Sequence, residues 1–134
     1  MTKSILGAWS LKSCLLYKND EATPTFGDPP SGQIQYTADG RMSGFLMDPE
    51  WAARGAPEAN SFTEFFAYAG TWELVDDKVH HTVMFASSPA RVGSVFTRTV
   101  RWMSDDTIEL TTEPETSKSG KVYVTKLIWE RVGA

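Results

Sequence analysis

Apolar and polar residues alternate along most of this chain, the period-two signature of half-buried strands rather than helical spacing. Trp9, Leu11, Ser13, Leu15 and Tyr17 share one face of a first strand, which puts Ser10, Lys12 and Cys14 on the outer one. A Pro- and Gly-rich stretch over 20–31 reads as loop. The strand pattern returns over 32–37. Thr37-Ala38-Asp39-Gly40-Arg41 then reads as a type I turn closed by a glycine bulge. That hairpin opposes Tyr36 to Met42 and Ile34 to Gly44, with Ile34, Tyr36, Met42, Gly44 and Leu46 inside and Arg41 and Ser43 outside. Alternation breaks over 48–66. Asp48 followed by Pro49 predicts a short helix, because proline at a first helical position lacks only a donor that would be orphaned there. Ser61 with Glu64 three residues on is a capping-box pattern for a second. Further strands fall over 68–74, 79–86, 95–102, 107–112 and 122–132, with tight turns over 75–78 and 104–106 and a polar connection over 113–120. About eight short strands, with one or two short helices between the third and fourth, predict an all-β antiparallel up-and-down barrel or a sandwich.

The more apolar strand faces give an interior of Trp9, Leu11, Leu15, Ile34, Tyr36, Leu46, Trp72, Leu74, Val83, Phe85, Val100, Trp102, Ile108, Leu110, Leu127 and Trp129. Polar residues on those faces are few: Ser13, Tyr36, Tyr68, His81, Arg98, Tyr123, Thr125 and Arg131. Glu73, Glu109 and Glu130 all fall on the opposite faces, so the interior holds a histidine, tyrosines and arginines without a strand carboxylate to pair them. An inward guanidinium must find a partner, because losing its hydration costs several kcal/mol. Arg98 therefore pairs with a loop acid such as Asp28 or Asp48, with backbone carbonyls, or with an oxygen-bearing ligand. His80 and His81 point to opposite sides of their strand, and His81 is the inward one, beside Val79, Val83 and Phe85. A lone inward histidine is either a satisfied core residue or, with Tyr36, Tyr68 and Arg98 converging on it, part of a pocket.

Composition narrows the classes. The 134 residues make one domain, over 1–134, large enough to bury a core without disulfides. Thirteen Lys and Arg against 17 Asp and Glu give a net charge of −4 with no basic run, which argues against nucleic acid. Cys14 is the only cysteine, excluding an internal disulfide and a Cys-rich zinc site, and no HxH or HExxH spacing offers a metal site. No apolar run approaches the ~20 residues that span a bilayer, and the chain opens without a secretory core. The expectation is a cytoplasmic protein with no metal, no cofactor and no membrane partner. For small cytoplasmic barrels the prior is a homodimer. Nucleophile elbows and paired interior carboxylates are absent from the pattern.

Several segments together resemble the lipocalin-like domain proteins of bacteria and fungi, within the calycin group. They are Leu6-Gly7-Ala8-Trp9-Ser10-Leu11; Phe26-Gly27-Asp28-Pro29 with Gly32; and the run from Ile34 to Ser43. Tyr68-Ala69-Gly70-Thr71-Trp72, Val79 with His81, Pro89, Gly93 with Arg98, and Trp129-Glu130-Arg131-Val132 complete the match over nearly the whole chain. The resemblance implies a closed antiparallel barrel with an internal cavity. It also implies that Trp9 packs at the closed end under Arg131, and that Tyr36, Tyr68, His81 and Arg98 are cavity residues. Phe96 departs from the polar residue, often Gln, that the family pattern has two positions before the arginine, which implies a more apolar cavity. Related small barrels in secondary metabolism bind or isomerise hydrophobic intermediates.

Three readings of function follow. One is a cofactor-independent cyclase, isomerase or dehydratase acting on a polyketide- or terpenoid-like substrate, with His81, Tyr36 and Arg98 as the catalytic group. Tyrosine and arginine would hold a carbonyl or enolate oxygen while His81 moves a proton. Tyr68, Trp72, Phe96, Phe85, Met42, Leu46, Thr125 and Trp129 form the expected ligand wall. The second is an intracellular carrier or sensor of a small hydrophobic ligand, needing only the cavity. The third is a barrel plugged by its own aromatics, of which there are five Trp and seven Phe.

Overall fold

Ten strand segments form among the described residues, 3–55 and 63–133 of this computed structural model. They are β1 (Gly7–Lys18), β2 (Glu21–Pro24), β3 (Ser31–Tyr36), β4 (Arg41–Met47), β5 (Phe65–Val75), β6 (Lys78–Ala86), β7 (Val95–Ser104), β8 (Thr107–Thr112), β9 (Glu115–Thr116) and β10 (Val122–Arg131). Eight of them pair antiparallel in the order β1-β3-β4-β5-β6-β7-β8-β10, and β10 returns to β1. The result is a closed eight-stranded antiparallel barrel, a sheet without free edges. β2 and β9 are short flaps on β1 and β10.

Local chemistry explains most of the joints. Gly40, at φ 88, closes the β3–β4 turn, and Tyr36 opposes Met42 and Ile34 opposes Gly44 as the pattern predicts. Asp48 caps the helix α1 (Pro49–Arg54) by accepting from the Glu50 N–H at 2.9 Å, Pro49 opens it, and Gly55 ends it in the left-handed region. Ser61, the cap of the second expected helix, lies outside the described residues; Glu64 belongs to a turn that leads into β5. The loop expected over 20–31 is partly a strand. Asn19, at φ 56, takes the left-handed conformation asparagine tolerates, so Asn19-Asp20 makes a two-residue hairpin that lays β2 along β1.

Two strands change face part-way, and there the strict alternation fails. In β1, Leu11 pairs with Trp129 but Ser13 pairs with Ile128, so Lys12 is an extra, bulged residue. Beyond it the pattern inverts: Cys14 is buried at 2% exposure and Leu16 faces the interior, while Ser13 and Leu15, expected inside, leave the core. In β6, Ala69 pairs with Phe85 but Gly70 with Val83, so Met84 is the extra residue. Phe85 therefore faces out, at 63% exposure, and Ala86 packs inward. Gly70 permits this second bulge, because a Cβ there would stand 1.8 Å from the Thr82 carbonyl oxygen. Leu74, also expected inside, is 45% exposed near the β5–β6 turn.

The closed end is built around Trp9, whose indole Nε1–H donates to the Ile5 carbonyl at 2.9 Å. Arg131 lies across the ring at 4.3 Å and donates to the carbonyls of Ser4 at 2.8 Å and Leu6 at 3.0 Å. This is the cap that the resemblance implies, a cation–π contact fixed by hydrogen bonds. Among the described residues no helix is long and apolar enough to cross a membrane.

Candidate functional site

The barrel is hollow. A cavity of about 460 Å³ opens between the strands, within the ~300–1,000 Å³ range of small-molecule sites, so the plugged reading fails. Its walls are mostly apolar and include Leu16, Ile34, Leu46, Phe66, Phe96, Leu110, Leu127 and Trp129. Among the described residues no group of His, Cys, Asp and Glu gathers in a way that could hold a metal.

His81 is fully buried in the wall, and both ring nitrogens are engaged. Nε2 is 2.7 Å from the Tyr36 hydroxyl and Nδ1 is 3.0 Å from the Tyr68 hydroxyl. The three side chains come from three strands, β3, β5 and β6, which closure of the sheet brings together. Burial, reinforced by the positive charge of Arg98 and then of His80, lowers the His81 pKa from 6.5 to about 3. The imidazole is neutral at any physiological pH, with one nitrogen donating and the other accepting.

Hydrogen-bond accounting decides which. Tyr36 is buried behind His81, and its hydroxyl has His81 as its one partner among the described residues. If Nε2–H donated to it, the Tyr36 proton would be buried without an acceptor, at a cost of about 1–3 kcal/mol. So Tyr36 donates to Nε2, Nδ1–H donates to the Tyr68 oxygen, and the Tyr68 proton is left free. Tyr68 lines the cavity. The chain Tyr36–His81–Tyr68 thus delivers one hydrogen-bond donor to the ligand space.

Packing fixes that donor. Phe66 stacks on the Tyr68 ring at 5.2 Å and Phe96 meets it edge-on at 5.2 Å. On the remaining side Gly44 makes room: a Cβ there would sit 3.2 Å from a Tyr68 ring carbon. Burial raises the Tyr36 and Tyr68 pKa values above that of an ordinary phenol, Tyr36 strongly and with Tyr68's help, while Arg98 pulls both back down. Both hydroxyls keep their protons.

Arg98 also lines the cavity. Its guanidinium rests on the Phe96 ring at 5.0 Å and donates to the Thr97 carbonyl at 3.2 Å. Of the partners expected for it, the backbone carbonyl is realised; Asp48 is occupied capping α1. Phe96, the departure from the family pattern, packs Tyr68 and supports Arg98 at once.

Of the expected wall, Tyr68, Phe96, Leu46, Thr125 and Trp129 line the cavity. Phe85 does not, since the bulge at Met84 turns it to solvent. Trp72 is not part of the lining either: its Nε1–H donates to the Thr37 carbonyl at 2.9 Å and its ring packs edge-on against Tyr36 at 5.3 Å. Met42 is buried opposite Tyr36, outside the lining. Sequence reasoning missed Cys14, Leu16, Phe26 and Phe66. The first two follow from the β1 bulge, whose only trace is the unbroken run Cys14-Leu15-Leu16. Phe26 comes from a loop and is buried with its backbone at φ 59, a conformation no periodicity announces. Cys14 lies 3.0 Å from the Thr25 hydroxyl, and burial pushes its thiol pKa up, the opposite of an activated nucleophile.

Solved structures of similar shape include a redesigned β-barrel, 11% identical with a TM-score of 0.44, covering 95% of this chain and 90% of that one. A de novo designed fluorescence-activating β-barrel is 13% identical with a TM-score of 0.46, covering 98% and 99%. An uncharacterised protein from Bacteroides eggerthii DSM 20697 is 14% identical with a TM-score of 0.48, covering 92% and 98%. No protein of curated function matches the chain. The family model of the lipocalin-like domain matches residues 6–132, nearly the full length, and by that match the chain belongs to the lipocalin-like domain family.

Proposed function

We propose that the barrel binds a hydrophobic, oxygen-bearing small molecule of polyketide- or terpenoid-like character and acts on it as a cofactor-independent isomerase, cyclase or dehydratase. The observation that carries this reading is the buried Tyr36–His81–Tyr68 chain, which ends in a free phenolic donor inside an apolar cavity, with Arg98 in the same wall. A ligand carbonyl accepting from Tyr68 is polarised, and negative charge developing on its oxygen is stabilised by Tyr68 and by the field of Arg98. The cavity supplies the second contribution by holding an apolar chain in a reactive shape and away from water. Tyr68 and Arg98 are the groups that meet substrate. His81 and Tyr36 act through Tyr68 as positioning residues, because both imidazole nitrogens are already bonded. The cytoplasmic setting expected from the sequence belongs to this proposal.

One observation favours a carrier instead. Neither His81, held near 3, nor Tyr68, held above the ordinary phenol range, exchanges a proton readily near neutrality. Thermal-shift screening with oxygenated apolar metabolites, followed by turnover assays on the hits, separates the two. Turnover that falls in both Tyr68→Phe and Arg98→Gln supports the enzyme. Stabilisation without turnover assigns the carrier, and no stabilisation by any compound rejects both.

A further inference from the structure

Resting on the ligand-binding reading just given, we infer that the ligand is an organic anion, an apolar body carrying a carboxylate that pairs with Arg98. Charged partners elsewhere in the barrel show what Arg98 lacks. Arg101 holds Glu109 through two contacts at 3.1 and 3.3 Å, Arg54 meets Glu64 at 2.6 Å, and Arg131 meets Asp106 at 3.3 Å. Arg98 has no carboxylate within ion-pair distance among the described residues, although acids stand nearby. Glu113 and Glu115 belong to the same cavity lining but are both exposed, and Glu113 is engaged by Lys78 at 3.2 Å. A guanidinium carries five N–H donors, and the protein engages Arg98 through one carbonyl and one ring face.

Two further wall residues, Tyr68 and Trp129, carry N–H or O–H groups without an acceptor among the described residues. Tyr68 offers a proton and, in the tautomer that leaves no orphan, needs none. The Nε1–H of Trp129, a wall residue only 2% exposed, is buried and has no acceptor among the described residues. Arg98, with its fixed positive charge, and the Tyr68 hydroxyl stand in a wall otherwise formed largely by residues such as Leu46, Phe66, Leu110 and Leu127. A neutral alcohol or ketone would leave the charge without a counter-ion. A carboxylate neutralises it and accepts from a planar fork shaped for two oxygens.

The test compares acids with their methyl esters on the purified full-length chain, by displacement of the neutral dye Nile red. Decanoate with methyl decanoate, and 2-naphthylacetate with its methyl ester, present one apolar body with and without the charge. The acid of a pair should bind roughly ten- to hundred-fold more tightly, the range of a hydrogen bond to a charged group. Arg98→Gln should erase that preference by weakening the acids far more than the esters, and Arg98→Lys should restore part of it. If esters and acids compete equally in the wild type, the ligand is not an anion, though the cavity still binds. If dye, esters and acids all fail to enter, the ligand-binding reading falls with it. Should Arg98→Gln not fold, the acid-to-ester ratio of the wild type still decides.

Discussion

His81 has no contact with solvent and two hydroxyl partners, so its protonation state is set by the fold. Its pKa in the folded chain, about 3, lies below the 6.5 of a free histidine. The unfolded chain therefore binds the extra proton first. Stability from the neutral ring is fully present above pH 6.5 and is lost progressively as pH falls toward 3. Between pH 7 and pH 5 the wild type should lose about 2 kcal/mol more than His81→Gln does, read from urea midpoints at both pH values. Equal losses would mean that the imidazole is solvated. Gly44 supports the same site from the opposite side of Tyr68. Gly44→Ala places a methyl carbon 3.2 Å from the phenol ring, so the ring must shift by a few tenths of an ångström. The fold should survive, while the imidazole ¹⁵N shifts move as the bond from Nδ1–H to Tyr68 lengthens. Unchanged shifts would show that the ring has room to spare. His81, Tyr36, Tyr68 and Arg98 were legible as converging residues because each sits at an inward position of a regular strand segment. Their arrangement was not, since a one-dimensional pattern carries no distance between β3, β5 and β6.

Two bulged strands mark the limit of alternation as a guide. Every face on β3, β4 and β8 follows the period-two expectation for its apolar residues, and the β3–β4 register agrees pair by pair. β1 and β6 follow it only up to Lys12 and Met84. An extra residue inverts every face beyond it, and a run of adjacent apolar residues, such as Val83-Met84-Phe85-Ala86, is its only mark in the sequence. The consequence is measurable within one strand. Phe85→Thr removes a large aromatic from the exposed face and should change stability by less than about 0.5 kcal/mol. Val83→Ala, two residues earlier and buried, should cost about 1–3 kcal/mol. A large loss at Phe85 in thermal unfolding would place its ring inside and remove the bulge.

At the scale of the molecule the barrel has two unlike ends. The closed end is dense, with Trp9 beneath Arg131 and a T-shaped contact of Trp9 with Trp102 at 6.1 Å. Arg131 ties the last strand to the first residues through the carbonyls of Ser4 and Leu6, so it fastens the seam where β10 meets β1. Arg131→Met keeps the length of the side chain but loses the charge and these bonds, and should destabilise by about 2–3 kcal/mol in denaturant unfolding. A shift below about 0.5 kcal/mol would show that the seam holds without it. The other half is hollow, and Arg98 and Tyr68 in its wall keep donors without a matched acceptor among the described residues. The Trp9 cap and barrel closure were implied by the resemblance to the lipocalin-like family, since alternation alone left a sandwich open, whereas the size of the cavity depended on the bulges and on Phe26, which the pattern conceals. Ligand occupancy tests the central claim most directly: native mass spectrometry of the purified chain with oxygenated apolar compounds, wild type beside Tyr68→Phe. The cavity and its Tyr68 hydroxyl predict a one-to-one adduct in the wild type whose affinity falls roughly three- to ten-fold when the hydroxyl is removed. No adduct with any compound, or adducts held equally by both proteins, would contradict it.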